Sequence, residues 1–250
     1  PEAYSKLITE VTKSDQQWGM MVHANGDRAI DLAVNGFQYL QMRGYDLASR
    51  RYRIEHCSLL TDSNAQMMSN LGISPSFLIG HVGYWGWAFQ QEILGAERAQ
   101  LLDRCGTAQS AGMVVTLHSD NNVSPLGPLR YMEQAITRRM ERAPQDGSQY
   151  LNPQESLTAE QALKAITLNA AWQCQADQHV GSLEEGKLAD FVILAENPLT
   201  WNESHGSFVG LRDIEIEETW VGGKKLYSRT EKVAESVSKQ QQKKLATALT

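Results

Sequence analysis

Cysteine is scarce in this chain, three in 250 residues. Cys57, Cys105 and Cys174 are odd in number and show no C-x-x-C spacing, which argues against a disulfide framework. Long apolar runs are missing as well. None reaches about 18 residues, so no segment is predicted to span a membrane as a helix. Positive charge is outnumbered: 23 Lys and Arg stand against 29 Asp and Glu, a formal charge of −6 that speaks against nucleic acid or an anionic membrane as the main partner. The chain opens Pro1-Glu2-Ala3, so the lack of a visible leader says nothing about compartment. What remains is ordinary for a globular protein, 42% hydrophobic and 21% charged, and long enough for one large domain or a large and a small one.

Within that composition three short polar strings end apolar stretches. They are Val22-His23-Ala24-Asn25-Gly26-Asp27-Arg28, Arg53-Ile54-Glu55-His56 and His118-Ser119-Asp120. From His23 to His56 is 33 residues and from His56 to Asp120 is 64, about one and two strand-helix repeats. A (β/α)₈ barrel brings the ends of its strands to one face at that period, because each strand is followed by a returning helix. Two imidazoles and a carboxylate gathered there are metal-binding, hydrolytic chemistry.

The intervening pattern alternates strand and helix four times, which predicts α/β architecture with a parallel sheet. Helices are expected over Pro1 to Asp15, Asp27 to Met42, Asp62 to Asn70, Glu97 to Ala111 and Leu129 to Arg142. Thr158 and Gln161 form a capping box for one more, running to Ala171. Strands are expected over Trp18–Ala24, Arg51–His56, Ile73–Ile79 and Met113–Leu117, in chain order, the first of them buried. Past Cys174 the texture changes. Phe191–Leu194, Ile214–Val221 and Lys224–Tyr227 read as strands, the last two joined by a Gly222-Gly223 hairpin. The domain division expected is 1–173, a small β unit at 174–230, and a polar tail at 231–250.

These residues resemble the amidohydrolase superfamily. His23-Ala-Asn-Gly-Asp-Arg28, Arg53-Ile-Glu-His56 and Ser119-Asp120 look like its strands five, six and eight. They are most similar to the amidohydrolase family 3 branch, which includes N-substituted formamide deformylases and relatives labelled exoenzyme regulatory proteins. Gly181 to Leu194 resembles the return into that family's small β-sandwich, and Val221-Gly-Gly-Lys-Lys its last hairpin. The resemblance implies that His23, His56 and Asp120 surround a divalent metal, zinc foremost, with Asp120 as the proton shuttle. The family's His-x-His pair of strand one and the carboxylate or lysine of strand four have no counterpart here. The chain is therefore expected to be the C-terminal half of a (β/α)₈ TIM-like barrel plus the small β unit. By itself it should bind metal poorly, with unpaired sheet edges at the strands of His23 and Asp120. Those edges favour self-association or contact with the missing N-terminal half.

In the whole barrel the implied reaction is hydrolysis of a small-molecule amide-type C–N bond. Metal lowers the pKa of water to about 7 and polarises the carbonyl, and Asp120 moves the proton to the leaving nitrogen. An alternative is a regulatory or binding protein that keeps the fold without metal. A third reading is a half-barrel that dimerises to complete eight strands. His81 and Trp85 either line a substrate mouth or pack in the core. His118 either orients Asp120, touches substrate or packs in the barrel. Cys57 reads as a small buried thiol, since strand neighbours point to opposite sides. Met20, Met21, Met67 and Met68 read as packing, and Asp27 with Arg28 as a local cap of the next helix. Arg53 and Glu55, charged on a strand expected to be buried, need partners or a polar outlet.

Overall fold

The computed structural model describes residues 2–13 and 18–231; the polar tail expected from 231 onward lies outside them, Glu231 aside. Its centre is a four-stranded parallel sheet in the order β1 (Met21–Ala24), β2 (Arg53–His56), β3 (Ser74–Leu78) and β4 (Thr116–His118). Helix α1 (Glu2–Lys13) lies against α2 (Asp27–Met42), and α3 (Asp62–Leu71) returns the chain to β3. The periodicity of α2 shows in what it buries: Ile30, Ala33, Val34, Phe37 and Leu40. Helix α3 starts where the Thr61 hydroxyl accepts the Asn64 N–H at 3.2 Å, and ends at Gly72 in the left-handed region.

Register divides the sheet into two unlike faces. In-register neighbours on parallel strands project to the same side, so Val22, Ile54 and Pro75 share one face with Phe77 and Leu117. That face is apolar and joins Val34, Phe37 and Met68 in the core. Arg53, Glu55, Ser74, Ser76, Thr116 and His118 occupy the other. The two charged residues of β2 satisfy one another, Arg53 Nε donating to Glu55 Oε1 at 2.5 Å. Arg53 also donates to the Gln173 carbonyl at 2.9 Å.

Several expected elements are shorter or broken, each for a tertiary reason. The first strand is four residues where seven were expected, and it is not buried: Met21 is 61% exposed and Trp18, just before the strand, 60%, because β1 is an edge strand with no pairing on its outer side among the described residues. Met21 is thus not a packing residue, whereas Met68 is fully buried. The helix expected over 97–111 is interrupted. A single α-helical turn at Gly95–Arg98 and a 3-10 turn at Ala99–Leu101 come first, Asp103 takes φ 42°, and the longer helix is Cys105–Ser110, α4. The helix expected to reach Arg142 is α5 (Pro128–Thr137), stopped by Arg138 at φ 51°. One contact explains both breaks: the fully buried Arg138 guanidinium donates to the carbonyls of Leu102, Asp103 and Leu151 at 2.7–2.8 Å. Arg138 therefore leaves the helix to satisfy three loop carbonyls that burial would otherwise orphan. The Thr158 capping box is present, but its helix splits at Thr167 into α6 (Ala159–Ile166) and α7 (Leu168–Gln173).

Beyond α7 the chain forms a three-stranded antiparallel sheet, β5 (Phe191–Leu194), β6 (Ile216–Val221) and β7 (Lys224–Ser228). Gly222 and Gly223 make its hairpin turn with φ of 57° and 74°, a pair of left-handed residues that glycine adopts without a Cβ penalty. No helix among the described residues is long and apolar enough to cross a membrane.

Candidate functional site

Strand parity alone would keep His23 and His56 apart. Register sets His23 beside Glu55, on the polar face, and His56 beside Ala24, on the helix-covered face. His56 does not follow the pleat. It adopts φ 68° and Cys57 φ 49°, two successive left-handed residues of a kind that cost about 1–3 kcal/mol each and concentrate at functional sites. The turn brings the His56 ring back over the strand ends, with Nε2 2.9 Å from His23 Nδ1 and the rings edge-on at 4.4 Å. Cys57 goes the other way, buried with Sγ 3.9 Å from Met68 Sδ.

Proton bookkeeping follows from the neighbours. Asn25 Nδ2 donates to His23 Nε2 at 3.2 Å, so the His23 proton sits on Nδ1 and points at His56 Nε2. The His56 proton is left on Nδ1, which is buried without a partner. Burial, then His118 and His23 nearby, holds His56 below the ordinary imidazole range, so it is neutral at neutral pH. The chain continues outward: Ser58 Oγ donates to Asn25 Oδ1 at 2.9 Å and sits 2.9 Å from His81 Nδ1. With its one proton given to Asn25, Ser58 can only accept from His81, which therefore carries its proton on Nδ1. Burial, then His56 and His118, pushes His81 down to about 4.

Asp120 stands at the end of β4 with φ 49°, its N–H donated to His118 Nδ1 at 3.2 Å. The His118 Nε2 lies 3.1 Å from the Ser76 carbonyl and 3.8 Å from Glu55 Oε2. The Asp120 charge acts on the rings of His56, His81 and His118, favouring their charged forms. The structure thus joins His23 to His56 directly and sets Asp120 in the electrostatic neighbourhood of His56. Among the described residues no three His, Cys, Asp or Glu side chains form a group that could hold a metal ion.

Two imidazole nitrogens this close share either a proton or a cation. Nitrogens bound tetrahedrally to one zinc at about 2.0–2.1 Å stand about 3.3–3.4 Å apart, a few tenths of an ångström more than the separation found. The neutral His56 ring, with its proton on Nδ1, fits a ligand whose Nε2 lone pair, here accepting the His23 proton, would take a cation in its place. The pair fits as two donors of a larger set.

Beside it a cavity of about 280 Å³ is walled by Phe89, Leu94 and Leu102, with Asn25, Ser58 and His81 at its edge. His81 lines it, stacked edge-on against Phe89 at 5.2 Å. Trp85 lies outside this wall and donates to the Val123 carbonyl at 2.9 Å. Asp27 Oδ1 accepts the local Arg28 N–H at 2.9 Å and also pairs with Arg98 at 2.8 Å, tying the segment after β3 to the start of α2.

Three residues of the site escape sequence reasoning. Asn25 lies inside the quoted motif, and Ser58 two residues past His56, so proximity to the histidines was the available signal. Asp103 had none. It is fully buried, 3.9 Å from His81 Nδ1, with both carboxyl oxygens unpartnered. Burial raises its pKa well above the carboxylate range against the pull of Arg138, so it is a neutral acid.

The profile of the amidohydrolase family matches residues 9–227. Among curated proteins, the chain is 32% identical over 228 residues to Protein LONG AFTER FAR-RED 3 of Arabidopsis thaliana, covering 91% of this chain and 37% of that protein. It is 28% identical over 212 residues to N-substituted formamide deformylase of Arthrobacter pascens, covering 84% and 37%. A solved structure of an uncharacterised metal-dependent hydrolase from Pyrococcus horikoshii superposes with a TM-score of 0.64 at 24% identity, over 81% of this chain and 39% of that one. The chain spans well under half the length of these proteins.

Proposed function

The chain belongs to the amidohydrolase family, and from that premise we propose that it forms part of a metal-dependent hydrolase cleaving non-peptide, amide-type carbon–nitrogen bonds. The observation that carries the reading is the left-handed turn at His56, which sets one imidazole against the parity of its own strand to meet another at 2.9 Å. His56 through Nε2, and His23 through Nδ1 once its proton has moved to Nε2 and the Asn25 amide has turned to accept it, would hold a divalent cation, with zinc matching two neutral imidazoles. The remaining donors come from a second segment, and the four parallel strands are half of a barrel that this segment closes. Exposed Met21 on the edge strand β1, with exposed Trp18 just before it, supports that assignment, as does the length of the relatives.

The chemistry such an ion supplies is a more acidic water and a polarised carbonyl. The residues of this chain do the rest. Asp120 takes the proton of the attacking water and returns it to the departing nitrogen, general base and then general acid. His81 presents a bare Nε2 at the edge of the apolar cavity, an acceptor for a substrate N–H. Phe89, Leu94 and Leu102 exclude water from an apolar substituent. The test is Asp120→Asn in the enzyme assembled with its remaining donors. Turnover of an amide panel should fall by about 10²–10⁴ while bound metal stays. Full activity in that variant would end the shuttle assignment.

A second reading, a regulatory protein that keeps the fold without metal, draws on the missing third donor among the described residues. Metal content separates the two.

A further inference from the structure

Building on the reading of Asp120 as proton shuttle, we infer that His118 is its positioning residue, holding the Asp120 main chain in place through the lone pair of Nδ1. Asp120 carries φ 49°, a left-handed conformation that costs an L-residue about 1–2 kcal/mol and that Asp tolerates better than most. Something must hold it there. Its N–H is donated to His118 Nδ1 at 3.2 Å, and a nitrogen that accepts a hydrogen bond carries no proton.

The single proton of the neutral ring is therefore on Nε2, where two acceptors wait. The Ser76 carbonyl is 3.1 Å away and Glu55 Oε2 is 3.8 Å away. Glu55 is itself fixed by Arg53, and Arg53 by the Gln173 carbonyl at 2.9 Å. The imidazole is thus hydrogen-bonded to β3 on one side, with the Glu55 carboxylate of β2 3.8 Å off, and grips the end of its own strand on the other. Its two nitrogens have different tasks, and only Nδ1 touches Asp120.

The far side of the turn is tied separately. The Asp120 carbonyl accepts the Val123 N–H at 2.8 Å, and Ser124 donates to the Ser119 carbonyl through N and Oγ at 3.2 and 2.9 Å. Trp85 anchors the Val123 carbonyl. Removing His118 would therefore leave the turn closed but free the approach to it, so that the carboxylate loses its aim rather than its strand. A misplacement of about 1 Å at a reacting group can cost about 10²-fold in rate.

The two nitrogens can be replaced one at a time. Asparagine sets a carbonyl oxygen near the place of Nδ1. Glutamine reaches the place of Nε2 with an amide donor and offers nothing at Nδ1. The experiment measures amide hydrogen exchange at Asp120, and turnover in the assembled enzyme, for the wild type, His118→Asn and His118→Gln. Exchange at Asp120 should quicken at least about tenfold in the Gln variant and return to within about threefold of wild type in the Asn variant. The same pattern should appear in kcat, with KM little changed. Equal exchange in all three proteins, or equal quickening in both variants, overturns the inference. If exchange follows the expected pattern while Asp120→Asn keeps full turnover, the positioning role stands and the shuttle reading falls.

Discussion

At the scale of single residues, the site is built by exceptions to local rules. His56 departs from the pleat and Asp120 from right-handed backbone, while Asp103 is buried with neither carboxyl oxygen satisfied. Each would lower stability in a protein selected only to fold. His81 turns that tension into a measurable quantity. Its folded pKa is pushed to about 4, first by burial and then by His56 and His118, against about 6.5 in an unfolded chain. The unfolded state therefore binds more protons than the folded one across that window. Stability from this group is whole above pH 6.5 and lost as pH falls toward 4. Between pH 7 and 5 the loss should be about 2 kcal/mol. Urea melts at the two pH values should show it in the wild type and much less in His81→Asn, whose amide keeps a partner for Ser58 but does not titrate. An unchanged pH dependence in that variant would place the acid sensitivity elsewhere.

At the scale of elements, what could be read in advance was what local periodicity decides. Helix α2 runs over the predicted residues because Ile30, Val34, Phe37 and Leu40 recur at helical spacing. The Thr158–Gln161 box and the Gly222-Gly223 hairpin stand where their turn chemistry put them. The breaks at Asp103 and Arg138 were not legible, since their cause is one guanidinium reaching carbonyls 35 and 36 residues away in sequence. The same division runs through the site. His23 and His56 were visible in their motifs, whereas the Asn25–Ser58–His81 relay depends on loops folding over strand ends. Asp103 depends on a helix that failed to continue. Gly72 gives an element-scale test. It ends α3 at φ 68°, and a Cβ there would lie 2.8 Å from the Ala48 backbone, with no flexible side chain to yield. Gly72→Ala should cost about 2 kcal/mol or more, adding left-handed strain to the clash. By calorimetry that is a melting point lower by about 5 °C; a change under about 1 °C would show that the loop before β2 moves freely.

At the scale of the whole molecule, the parallel sheet is open at both edges, β1 and β4, among the described residues. The edge strand β1 presents Met21, with Trp18 just before it, both at more than half exposure. Such an edge is a template for another strand. The chain alone should self-associate, and Met21→Lys should shift it toward monomer in sedimentation, since a charge on an edge discourages pairing. Equal association states in both proteins would mean that another surface drives contact.

Metal content bears on the central claim more directly than any of these. Zinc should be counted by mass spectrometry of metals in the chain alone, in the assembled enzyme, and in the assembled enzyme carrying His56→Ala or Asp120→Asn. The account predicts little zinc in the chain alone, because two imidazoles are too few for a tetrahedral site. It predicts stoichiometric zinc in the assembled enzyme, loss with His56→Ala and retention with Asp120→Asn. Stoichiometric zinc that survives His56→Ala, or an assembled enzyme that hydrolyses amides with no metal at all, would contradict it.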